Sequence, residues 1–217
     1  MSEKKKVVEV TITQEMKFIA DSYGEKFVVH NKSAKEFGNH NSVRTLPKRT
    51  KDAINGKLGE LVFACYAKRN YGVTVVLDNE LRFGDNGDLG CNDIESVFIH
   101  GEERVLIPSV DVKSSQPNSR WLLVERHMFK ASLYIMALLS EGVGTLVGWC
   151  HRSDFYNKEG QLKYAFDKGD EIPNTGVPLQ AKNVALRIDE LNNDWEKLFM
   201  IIKGCSMRRE FFNEANS

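Results

Sequence analysis

Two nearly unbroken apolar runs, residues 133–139 and 144–150, are separated only by Ser140-Glu-Gly-Val143, and they constrain the fold more than any other stretch. Each has the length of a strand and falls short of a buried helix. Further strand candidates lie upstream at residues 73–77, 93–99, 104–114 and 121–124, and downstream at 183–188. The polar turn His100-Gly-Glu-Glu103 makes 93–99 and 104–114 a β-hairpin. Helical periodicity frames these runs. Met16, Ile19, Ala20 and Tyr23 share a face in residues 11–23, and Ile54, Leu58, Leu61, Val62 and Cys65 share one in 52–69. Leu191, Trp195, Leu198, Phe199 and Ile202 form the apolar stripe of a helix at 189–203. Residues 30–50 and 84–92 are expected as loops, and the tail after Gly204 as a short helix. The simplest packing of these parts is an α/β fold with a central mixed sheet flanked by helices.

A length of 217 residues suits one domain with a full core. The expected division is an N-terminal helix and loop appendage (1–50), a core (51–203) and a C-terminal tail (204–217). Lys+Arg 30 against Asp+Glu 30 gives zero net charge, which excludes a histone-like basic binder and an acidic disordered chain. It does not exclude a nucleic-acid partner, because zero is a sum. No apolar run is long enough to span a membrane, and no secretory signal is read at the N-terminus. Cys65, Cys91, Cys150 and Cys205 are scattered without CxxC spacing, as expected for buried thiols of a cytoplasmic protein.

The chemically informative stretch is Pro108-Ser-Val-Asp111-Val-Lys113-Ser-Ser-Gln116, preceded by Asp93-Ile-Glu95. Residues two apart in a strand share a face, so Asp111 and Lys113 point one way while Val110 and Val112 point into the core. Taken alone, this is a salt bridge. With Asp93 at the start of the neighbouring hairpin strand it has the make-up of a metal site. Two carboxylates suit Mg²⁺, which keeps waters for substrate oxygens, and an adjacent lysine orients or helps deprotonate a water.

Asp93 … Asp111-Val-Lys113 resembles the signature of the PD-(D/E)xK nuclease superfamily, the restriction-endonuclease-like enzymes. The likeness extends to Gly56-Lys-Leu-Gly59-Glu60, similar to a GxxGE segment on the upstream helix, and to residues 145–152 and 183–191. It spans residues 54–199 and implies an αβββαβ core within 51–203. Asn92 stands where the proline of the signature would be, and Asp85 and Asp88 are rival first carboxylates, with Asp93 preferred because Ile94 continues into a strand. The resemblance implies Mg²⁺ (Mn²⁺ substituting) held by Asp93, Asp111 and the Val112 carbonyl, with Glu60 joining through a water or a second ion. Asp93, Asp111, Lys113 and Glu60 would be the catalytic set, and Lys113 would hold the attacking water. The implied reaction is phosphodiester hydrolysis in DNA to 5′-phosphate ends, as in a type II restriction system. A homodimer is expected, since one site cuts one strand.

Charge placement fits these expectations. Asp85, Asp88, Asp93 and Glu95 make residues 84–96 purely acidic, and Arg44, Lys48, Arg49, Lys51 and Lys57 make 44–57 basic. The basic group, with Ser114, Ser115 and Gln116, is the expected DNA contact surface. Two further readings stay open: a structure-specific nuclease such as a Holliday-junction resolvase or phage DNA-processing enzyme, and a non-catalytic nucleic-acid-binding protein on a nuclease-like fold.

Overall fold

The computed structural model describes residues 7–30, 45–79, 92–172 and 178–208. In chain order these form β1 (Val8–Thr11), α1 (Gln14–His30), α2 (Leu46–Tyr71), β2 (Val73–Leu77), β3 (Ile94–Ile99), β4 (Glu102–Leu106), β5 (Val110–Ser115), β6 (Trp121–Glu125), β7 (Leu133–Ser140), β8 (Val143–His151), β9 (Tyr164–Phe166), β10 (Asn183–Arg187), α3 (Trp195–Gly204) and β11 (Ser206–Arg208). The protein is mixed α/β.

The main sheet has the order β1-β8-β7-β5, with β5 and β7 parallel and the other neighbours antiparallel. A second sheet is the meander β2-β3-β4 extended by β11, and a third is β6-β10-β9. The main sheet is covered on both faces. Val110, Val112, Ile135 and Ala137 share a core with Val62 and Phe63 of α2 and with Phe199 of α3. Tyr134, Met136 and Cys150 share another with Leu122 and Val124 of β6 and Val184 and Leu186 of β10. Coverage of both faces is the reason residues 133–139 are apolar without alternation.

Local chemistry sets the element ends. The Thr13 hydroxyl accepts the Met16 N–H at 3.2 Å at the start of α1, and the Asp194 carboxylate accepts the Lys197 N–H at 2.9 Å at the start of α3. The β3–β4 hairpin turns on His100 and Gly101, with φ of 53° and 84°, the doubly positive geometry that matches strand twist.

Several elements differ from expectation. Residues 8–11 form a strand inside the main sheet, paired with β8, and the helix begins only after the Thr13 cap. The described part of residues 1–50 is therefore built into the same core as 51–203. Helix α2 begins at Leu46, so residues 46–50 are helical; Pro47 is tolerated in a first turn, where its missing N–H has no partner to lose. The expected strand 104–114 splits around Pro108, leaving β4 in the meander and starting β5 in the main sheet. Residues 189–203 are α-helical only from Trp195, after a 3₁₀ turn at Ile188–Glu190, because Asn192 pairs with Trp149 of β8 through two backbone hydrogen bonds of 2.8 Å. The chain after Gly204 makes β11, paired with β4, and no helix is found among its described residues. After β5, where an αβββαβ order has a helix, the chain makes β6 and a 3₁₀ turn before entering β7.

Gly59 brings α2 down onto β5 and β7. A Cβ there would stand 2.9 Å from Ser114 Cβ and 3.7 Å from Ala137 Cβ, whereas a Cβ on Gly56, one turn earlier, meets nothing within 4 Å. The two glycines therefore respond in opposite directions to the same change. Gly56→Ala is expected to stabilise the fold by up to about 1 kcal/mol through helix propensity. Gly59→Ala is expected to destabilise it by about 1–3 kcal/mol, because overpacking outweighs that gain. Urea unfolding of both variants measures the two signs.

Candidate active site

Asn92 and Asp93 form the joint on which the site is built. The Asp93 N–H donates to the Val110 carbonyl at 2.8 Å, and the Asp93 carbonyl accepts the Asp78 N–H at 2.9 Å. The Val110 N–H donates to Asn92 Oδ1 at 3.0 Å, and the Val112 N–H donates to Asp93 Oδ2 at 2.6 Å. Two side chains thus accept two N–H groups along the open edge of β5, and they connect the meander to the main sheet. Asn92, in the place of the signature proline, supplies the acceptor that Val110 needs. A residue's N–H and C=O leave a parallel strand on the same side, so the Val112 carbonyl shares this edge with Asp93.

Asp111 and Lys113 lie one pleat apart on β5. Asp111 is buried, and the Lys113 ammonium stands 2.7 Å from its Oδ2. That contact is one of charge without hydrogen-bond alignment, and Oδ2 is buried with no hydrogen-bond donor. From α2, Glu60 faces the same region. Its Oε2 is 2.5 Å from the ammonium of Lys57, which also donates to the Asp78 carbonyl at 2.8 Å and sits 4.5 Å over the Tyr23 ring.

Burial and neighbouring negative charge make Asp93 and Glu60 keep their protons longer than an ordinary carboxyl group. Burial, then the charges of Asp111 and Glu60, push Asp93 well above the ordinary carboxylate value against the pull of Lys113 and the Val112 N–H. Asp93 as a whole residue is half-buried, but its carboxyl group is enclosed. Glu60 is pushed up to about 7; burial outweighs its ion pair with Lys57, and Asp111 and Asp78 add to the rise. Burial first, then Glu60, Asp93 and Asp78, push the Tyr23 phenol up to about 12, so it stays neutral beside the site.

These groups open into a cleft of about 670 Å³. Its lining brings Glu60, Asp93, Asp111, Val112, Lys113 and Ser114 together with Leu123, Glu125, His127 and Asn183 and with residues 178–181. Lys48 stands on its rim. Of the expected DNA contacts, Lys51 and Gln116 are exposed, Ser115 is half-buried, and Arg49 stands 5.7 Å over the Phe27 ring. Lys57 is only 1 % exposed, which takes it out of the basic surface. Arg44, Asp85 and Asp88 lie outside the described residues. Tyr23, Asp78 and Asn92, and the pair Glu125 and His127 at 3.7 Å, were not among the site residues expected from the sequence. Their positions depend on contacts between elements distant in sequence, and none carries a motif.

The residues fit a hard divalent cation. Asp111 Oδ2, buried and met by the Lys113 ammonium only off the hydrogen-bond direction, lies with the Asp93 carboxylate and a backbone carbonyl in one set of oxygens. No group of three or more His, Cys, Asp or Glu among the described residues forms a ready-made cage. Mg²⁺ is commonly bound by one or two carboxylates, with water and phosphate completing its shell.

Glu60 gives the site a pH signature. The unfolded chain releases its proton near 4.5 and the folded protein only near 7, so the folded state binds more protons in between. Stability is therefore fully present below 4.5 and is lost as pH rises towards 7. The gap corresponds to roughly 3 kcal/mol. In EDTA, urea unfolding across pH 5–8 is expected to show this decline, and Asp111→Asn, which removes a like charge, to flatten it. Comparison with protein-family models, curated proteins and solved structures finds no match, so the function is argued from the residues and their geometry.

Proposed function

We propose that the protein is a Mg²⁺-dependent DNA endonuclease of the PD-(D/E)xK type, hydrolysing phosphodiester bonds to leave 5′-phosphate ends. The observation that carries this reading is the 2.6 Å bond from the Val112 N–H to Asp93 Oδ2. Through it, a carboxylate from the loop before β3 is fixed beside the strand that presents Asp111 and Lys113. The succession α2, β2, the β3–β4 hairpin and β5 supports the family reading, and the crossover through β6 is a departure from it.

Asp93, Asp111 and the Val112 carbonyl would hold the cation. When bound, it supplies Lewis-acid charge to a phosphoryl oxygen and lowers the pKa of water. Lys113, half-buried and held by Asp111 at 2.7 Å, is aimed into the cleft where it would orient the attacking water and meet negative charge developing on the phosphate. Lys48 on the rim would meet the phosphate backbone. Cutting a duplex needs two such sites, and a homodimer is the proposed assembly.

Incubation with supercoiled plasmid in Mg²⁺ or Mn²⁺ tests the reading. The wild type is expected to nick and linearise it, with Asp93→Asn, Asp111→Asn and Lys113→Ala each slower by roughly 100-fold or more. Discrete fragments would mark restriction-type specificity, and preference for a four-way junction over linear duplex would mark a structure-specific nuclease. Cleavage unchanged by all three substitutions, or absent in both ions on both substrates, would overturn it.

A further inference from the structure

Lys57 is 1 % exposed and lies beside the proposed active site, paired with Glu60 of its lining. An ammonium removed from water is costly unless its charge and donors are matched. Here they are matched by the Glu60 carboxylate at 2.5 Å, the Asp78 carbonyl at 2.8 Å and the π face of Tyr23 at 4.5 Å, and the two oxygens are groups that would also suit a metal ion. The Asp78 N–H is bonded to the Asp93 carbonyl. One cation therefore ties α2 to the end of β2, directly behind Asp93.

We propose that Lys57 is the resident cation of this site: it neutralises Glu60, keeps that carboxylate out of the ligand set, and leaves the pocket with room for one divalent ion, held by Asp93 and Asp111. The proposal rests on the metal-dependent reading above and fixes its stoichiometry. A second divalent ion would need the space beside Glu60 that the Lys57 ammonium fills. Lys57 is thus a positioning residue.

Calorimetric titration of the metal-free protein with Mn²⁺, without DNA, counts the ions. The wild type is expected to bind one. Lys57→Gln, which removes the ammonium and leaves the Glu60 carboxyl group open to a second ion, is expected to bind two. The neutral pair Lys57→Met with Glu60→Gln keeps the pocket balanced, and is expected to bind one ion with the wild-type affinity. This double variant keeps the test decisive should Lys57→Gln fail to fold. Two ions on the wild type would overturn the inference and leave the nuclease reading intact. So would a loss of about tenfold or more in affinity in the double variant, the mark of a lost ligand or of its support. No binding by the wild type would overturn the metal-dependent reading, and this inference with it.

Discussion

The hydrogen bond from the Val112 amide to the Asp93 carboxylate is the contact on which the site depends. Strand β5 is the last strand of the main sheet, and one side of its backbone has no strand partner. An uncovered edge leaves N–H and C=O groups available for pairing with other chains. Here that edge is covered by Asn92 and Asp93, whose backbone and side chains bond to Val110 and Val112. The same bonds that finish the sheet hold Asp93 next to Asp111. Structural completion and charge concentration are one arrangement, and Asp93 cannot be moved without opening the joint between the meander and the main sheet.

Such a concentration of carboxylates opposes folding. Glu60 and Asp93 both keep their protons beyond the usual range because burial and like charge disfavour their ionised forms. The fold offsets part of this with Lys57 and Lys113, and it places a neutral phenol, Tyr23, where another charge would add to the strain. Unfavourable electrostatics retained inside a well-packed three-layer core point to use of the site, since apolar residues would fill the same space at lower cost.

Much of the framework was legible because it is local. Strand β2 was read with its exact bounds, and β7, β8 and β10 to within a residue or two, because their apolar runs are short and end at turns or charged residues. Strand β1 was missed although Val8, Val10 and Ile12 alternate with Glu9 and Thr11, because so short an alternation beside a helical pattern is weak apart from its pairing with β8. Residues 206–208 were expected in a helix, yet their partner is β4, far upstream in sequence. The site divides in the same way. Asp111 and Lys113 were legible from strand periodicity, and Asp93 and Glu60 from spacing and resemblance. Lys57 was grouped with the surface cations because its neighbours in sequence are basic. Its burial comes from Tyr23 and Asp78, which reach it from α1 and the end of β2.

The placement of Lys57 alters what zero net charge means for this chain. The basic stretch before Glu60 looked like a uniform surface for phosphate, but its members have different surroundings. Lys57 is inside, Arg49 is over an aromatic ring, and Lys48 and Lys51 stand exposed. The cationic surface described around the cleft is therefore small. For the proposed substrate, a polyanion, the attraction would come less from a broad basic field than from the site itself once a divalent ion offsets its carboxylates. On this proposal, the pocket would repel phosphate while its carboxylates are ionised without the ion, and would accept it once the ion is bound. Ion binding and substrate binding would then be linked through the charge of Asp93 and Asp111, with Lys57 and Lys113 setting how much charge remains for the ion to cancel.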